Sequence, residues 1–193
     1  MKKRTTPIKH YLMAFLLWLG ISTVVFYLGF SYYAQAVLFL AEQFIGLATP
    51  IGVNLDYANR VGITLAYPGI PQPMIFRTNL FSITLNWIFA PALVLSTVTF
   101  SLKGRATLRV LGALLIMWVL HAVHVTLILL HFLTQATNPL IPPDFSPLLA
   151  SFIDWLYVFV DKMGYTLFPF IAWLVVCFKD ILDLFEKPQP VNP

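Results

Sequence analysis

Charged residues are scarce in this chain: 12 Lys and Arg and 8 Asp and Glu among 193 residues, against an apolar share of 59%. A water-soluble domain of this length would expose large contiguous apolar patches at that composition, which excludes a soluble enzyme or carrier and points to an integral membrane protein. Cysteine is nearly lacking as well. Cys177 stands alone, so neither an internal disulfide framework nor a cysteine-based zinc site is available. No glycine-rich phosphate loop and no separate soluble catalytic region occur. The net charge of +4 does not imply nucleic acid, because the basic residues sit beside apolar segments, where they report membrane orientation.

What is present is a set of long apolar runs. About 20 helical residues cross a bilayer core, and four stretches are long enough: about residues 11–30, 80–102, 108–132 and 163–180. The fourth borrows length from the apolar run 148–160 before it. The first is too long for a signal-peptide core and is read as retained. Lys2, Lys3, Arg4 and Lys9 precede the first span. Lys103, Arg105 and Arg109 fill the turn between spans two and three, with no acidic residue there. The positive-inside rule puts both clusters, and so both termini, in the cytoplasm of a plasma (inner) membrane. The expected fold is therefore an all-α integral membrane protein with four spans, N-in and C-in, forming one domain over 1–185. The Pro-rich tail 186–193 is expected to be disordered.

Two regions then fall outside. "YAQAVLFLAEQFIG" reads as a short interfacial amphipathic helix. "GVNLDYANRVGITLAYPGIPQPMIF" alternates apolar residues between Gly, Asn and Pro punctuation and predicts a small extracytoplasmic β-hairpin. "TQATNPLIPPDFSP" carries prolines that forbid a regular helix. "PLLASFIDWLYVFVDKMG" reads as a helix lying on or dipping into the outer leaflet.

The third span holds "HAVHVTLILLH", with His121, His124 and His131. At about 100° per residue all three share one helical face. The second span has a polar stripe of its own, Asn79, Ser82 and Asn86. Short-turn neighbours are antiparallel, and unsatisfied polar groups in lipid cost several kcal/mol, so the stripes are expected to face each other. Three readings of this cluster stand open. It is interhelical glue. It is a metal or haem site built on His121, His124 and His131, since imidazole suits zinc, copper and haem iron, with Asp154 or Asp161 approaching from outside. Or it is the remnant of an active site. Arg77, at the outer mouth of span two, is either a carboxylate- or phosphate-binding group or a snorkelling anchor. Pro91 is expected to kink the second span.

The order of these features resembles the exosortase/archaeosortase family of membrane transpeptidases over about residues 35–178. "AEQFIGLATPIGVNLDYANRVGITLAYPG" looks like the family's lead-in. "RTNL" stands where its cysteine motif would be, "HAVHV" after the basic turn "KGRATLR" where Asn-x-x-Arg would be, and "VDKMGYTLF" where the late histidine motif opens the last span. The resemblance puts Arg77 at the nucleophilic cysteine, His124 at the arginine and Val160 at the histidine. Cys177 falls at the other end of the last span, so a Cys–His nucleophile is excluded.

The resemblance thus implies a non-catalytic, exosortase-like subunit or accessory of an envelope complex for protein sorting or exopolysaccharide export, without a required cofactor. It would bind a partner peptide or helix in an outer polar site made of Arg77, Asn79, Ser82, Asn86, His121, His124 and Asp161. Its partners are the lipid bilayer and other membrane or secreted subunits, and not nucleic acid. The alternatives are a metal- or haem-bearing subunit of a membrane redox complex using the span-three histidines, and a hydrolase or transpeptidase with a substituted nucleophile such as Ser82 activated by His124.

Overall fold

The computed structural model describes residues 8–48, 54–58, 62–66, 74–76, 78–101, 106–135 and 145–185. Arg77, the turn 102–105 and the tail 186–193 lie outside them, so the expectations placed on those residues do too. Helix α1 runs Ile8–Ala48. Strands β1 (Asn54–Ala58), β2 (Gly62–Ala66) and β3 (Met74–Phe76) follow. Then come α2 (Leu80–Thr84), a 3₁₀ turn (Leu85–Ile88), α3 (Phe89–Ser101), α4 (Ala106–Gln135) and α5 (Pro147–Phe185). Four helical stretches are long and apolar enough to cross a membrane: Lys9–Ala48, Leu80–Thr97, Ala106–Gln135 and Pro147–Lys179.

Two expectations need correction. Residues 33–46 do not form a separate interfacial helix but continue α1, which is 41 residues long and hence about 60 Å at 1.5 Å per residue. No proline interrupts 8–48, and Gly20, Gly29 and Gly46 have open space around them. A helical glycine costs only about 1 kcal/mol relative to alanine, too little to end so long a segment. Likewise the run from Pro147 and the last span form one helix, α5, with Pro169 inside it. Pro91 acts as a helix interrupter. It has no N–H to give Trp87, its i−4 neighbour, and the chain tightens into the 3₁₀ turn Leu85–Ile88 just before it.

The chain divides into two compact units, one of residues 1–27, 87–117 and 168–193, the other of residues 28–86 and 118–167. The first unit is held by small residues. Ala90, Ala92, Ala113 and Ala172 are fully buried, and a Cβ on Gly112 would lie 3.3 Å from Val176 Cγ1, the close helix approach that small residues permit in membranes. Thr97 Oγ1 donates to the Leu93 carbonyl at 2.8 Å and accepts the Trp173 indole N–H at 2.9 Å.

The second unit contains the sheet and a core of Ala34, Val37, Leu38, Ala41, Ile45, Leu55, Leu80, Ala122, Val125 and Leu129. The α1 members recur at three- and four-residue spacing, which puts one stripe of that helix into this core. The strands pair antiparallel in the order β1-β2-β3, with Asp56 opposite Thr64 and Thr64 opposite Ile75. Leu55 of β1 joins the core.

Candidate functional site

The polar residues of the second unit sort into one closed network and two helix-to-helix rungs. The network centres on His121, which is fully buried. Asn86, 1% exposed, lies in the 3₁₀ turn. Its Nδ2 donates to the Tyr165 carbonyl at 3.0 Å and the Gly164 carbonyl at 3.3 Å. That fixes the amide orientation, so Oδ1 faces His121 Nε2 at 2.6 Å and accepts its proton. The other ring nitrogen, Nδ1, is left with a lone pair and accepts the Tyr33 hydroxyl at 2.7 Å. One uninterrupted chain of hydrogen bonds therefore runs from α1 through α4 and the 3₁₀ turn to α5.

The α5 end of this chain has a specific cause. Pro169 lacks an N–H, so the carbonyl of Tyr165, four residues earlier, has no helical donor. A freed carbonyl in a membrane helix must be re-satisfied by a neighbour, and the Asn86 amide does this.

The rungs join α4 to α5. His131 Nδ1 lies 2.7 Å from Asp154 Oδ1, and Gln135 Nε2 donates to Asp154 Oδ2 at 3.0 Å. The His131 ring also stacks on Tyr157, with centroids 4.2 Å apart. Two turns away, His124 Nε2 approaches Asp161 Oδ1 at 3.8 Å, and Lys162 Nζ lies 3.3 Å from Asp161 Oδ2. The histidines are seven residues apart on one helix and the aspartates seven apart on the other. Two His–Asp pairs thus repeat at heptad spacing across an antiparallel pair.

The rest of the expected cluster does not assemble. Asn79 is an exposed N-cap, accepting the Ser82 N–H on Oδ1 at 3.2 Å. Ser82 is exposed and makes no side-chain contact with His124 among the described residues, so the serine–histidine pairing is not formed. Nor do the three histidines converge. A shared face ignores axial distance: His121 and His131 are ten residues, about 15 Å, apart along α4. Both nitrogens of His121 are engaged, and no group of three His, Cys, Asp or Glu able to hold a metal occurs among the described residues. Cys177 is buried and belongs to the first unit.

Comparison with protein-family models, curated proteins and solved structures gives no match. The site is therefore interpreted from its own chemistry. Several of its members escaped the sequence reading. Tyr33 was hidden in a run of aromatic residues. The two α5 carbonyls carry no side-chain signature, although a proline inside an apolar span announces an orphaned carbonyl four residues before it.

Proposed function

We propose that the protein is a non-catalytic multi-pass membrane subunit of an envelope complex, laid out like an exosortase with the catalytic positions replaced. The observation that carries this reading is the meeting of His124 and Asp161 at 3.8 Å. These residues belong to two separate motifs of the resemblance, on helices that an unrelated chain has no reason to align in that register. The chemistry of the family is missing at the same place. Val160, in the histidine position, is buried, and no cysteine occupies the nucleophile position. Nucleophilic catalysis needs an activated nucleophile within reach of its base, and His121, the most deeply buried of the three histidines, spends both nitrogens on Tyr33 and Asn86.

In this reading both termini are cytoplasmic and the sheet and the start of α5 face outward, as the clusters Lys2–Lys9 and Lys103–Arg109 require. A partner peptide or helix docks at the His124–Asp161 rung. The test is extraction from native membranes in mild detergent and identification of co-purifying chains, with wild type and Asp161→Asn side by side. The expected result is a defined complex with other membrane or secreted subunits that the variant weakens. A companion-free protein that cleaves or transfers a peptide overturns the proposal.

A further inference from the structure

The first half of α5 turns its two aspartates toward α4 and a run of three exposed aromatic rings away from it. Asp154 and Asp161 face the histidines of α4. Phe152, Trp155 and Phe159 point away. Their rings form a ladder, stacked at centroid distances of 6.2 and 5.8 Å with interplanar angles of 26° and 15°. Trp155 is 61% exposed, and Leu148 and Met163 extend the stripe at either end. An exposed aromatic stripe on the face opposite the aspartates calls for an apolar cover.

We infer that this ladder seats in the headgroup–acyl boundary of a lipid bilayer and fixes the depth of α5 there. Two observations choose lipid over a protein cover. First, counting about 20 residues along α4 from Arg109 ends near Leu129, two residues short of His131, so the His131–Asp154 rung beside the ladder marks the edge of the hydrocarbon core. Second, the Trp155 indole makes no hydrogen bond among the described residues. A half-apolar ring with a free N–H suits a boundary that is apolar on one side and wet on the other. The inference goes beyond the proposed function, since an anchor of this kind serves an enzyme and a subunit equally.

The experiment places a nitroxide on cysteines introduced singly at 152, 155 and 159 in a Cys177→Ala background. The labelled protein is reconstituted in phosphatidylcholine–phosphatidylglycerol vesicles, and collision with oxygen is compared with collision with a water-soluble nickel chelate. The expected outcome is oxygen collision exceeding nickel collision at all three sites, with depth increasing from 152 to 159 along about 10 Å of helix. Nickel dominance would mean a water-facing stripe, and protection from both relaxers a stripe covered by protein or by a second copy. Either result overturns the inference. Should the Cys177→Ala background fail to fold, the native chain and Trp155→Phe are compared for quenching by phospholipids brominated near the glycerol end or at the chain terminus. The emission lost in Trp155→Phe must be the part quenched by the glycerol-end bromines. Equal quenching by both, or by neither, overturns the inference equally.

Discussion

Asn86 donates its side-chain amide to the carbonyl of Tyr165 across 3.0 Å, and that carbonyl is the one Pro169 leaves without a helical donor. The same asparagine is set in a 3₁₀ turn that Pro91 imposes on its own segment. Two prolines, each a local defect, are thus reconciled by one buried amide that also holds the His121 imidazole. Interhelical polar bonds in membranes average well under 1 kcal/mol because the alternative partners are many. Here the alternatives are few, since each donor and acceptor in the chain answers a defined orphan.

Substituting Asn86 by Ala should therefore cost about 1–3 kcal/mol, the penalty for leaving buried polar groups unmatched. In a Pro169→Ala background residue 169 regains its N–H, Tyr165 regains its helical donor, and the cost of Asn86→Ala should shrink by at least about 0.5 kcal/mol. Reversible unfolding in mixed micelles gives all four corners of the cycle. An identical loss in both backgrounds would show that the Tyr165 carbonyl is not what Asn86 serves.

His121→Leu strips partners from both Tyr33 and Asn86 and should lose about 1–3 kcal/mol, while Tyr33→Phe removes one neutral bond and should lose about 0.5–1.5 kcal/mol. The double variant should lose clearly less than the two losses added, because the Tyr33–His121 bond is lost in each single variant and once in the double. Strict additivity, read from the same unfolding curves, would mean the two residues do not share a bond.

That the chain holds four helices apolar and long enough to cross a membrane was legible, because a run of about 20 apolar residues has one meaning in a chain this poor in charge. Continuity was not. Nothing in residues 31–47 says whether α1 bends onto a surface or runs on, since the deciding term is burial of Ala34, Val37, Leu38, Ala41 and Ile45 against distant residues such as Leu80 and Leu129. Asn86 and His121 could be paired in advance from the antiparallel neighbours and the cost of lone polar groups in lipid. His131 could not be separated from His121 by angle alone; rise along the axis separates them. The Asp154 and Asp161 spacing matched His131 and His124 in heptads, a signal visible once α5 is taken as one helix.

That register makes its own prediction. His131→Asp sets two carboxylates face to face with Asp154 and should destabilise the protein. The exchanged pair His131→Asp with Asp154→His should recover most of the loss. The coupling should be about 1 kcal/mol or less, because both side chains are about one-third exposed and such pairs are partly screened. It should fall further as salt is raised. Failure of the exchanged pair to recover stability would place Asp154 against another residue.

The engagement of both His121 nitrogens leads to the last expectation. A ring whose Nε2 proton is given to Asn86 and whose Nδ1 lone pair takes the Tyr33 hydroxyl has nothing left to offer a metal. His131 holds Asp154 about 15 Å along the helix from it, so the remaining candidate rungs each supply one imidazole and one carboxylate, below the three protein ligands of an open zinc site. Added zinc or haemin should leave the thermal midpoint of the purified protein unchanged, and haemin should give no ligated Soret band. If His124→Ala abolished a midpoint shift that zinc produces in the wild type, the His124–Asp161 rung would be a ligand pair completed by groups outside the described residues, and its assignment as a partner-docking element would have to be withdrawn.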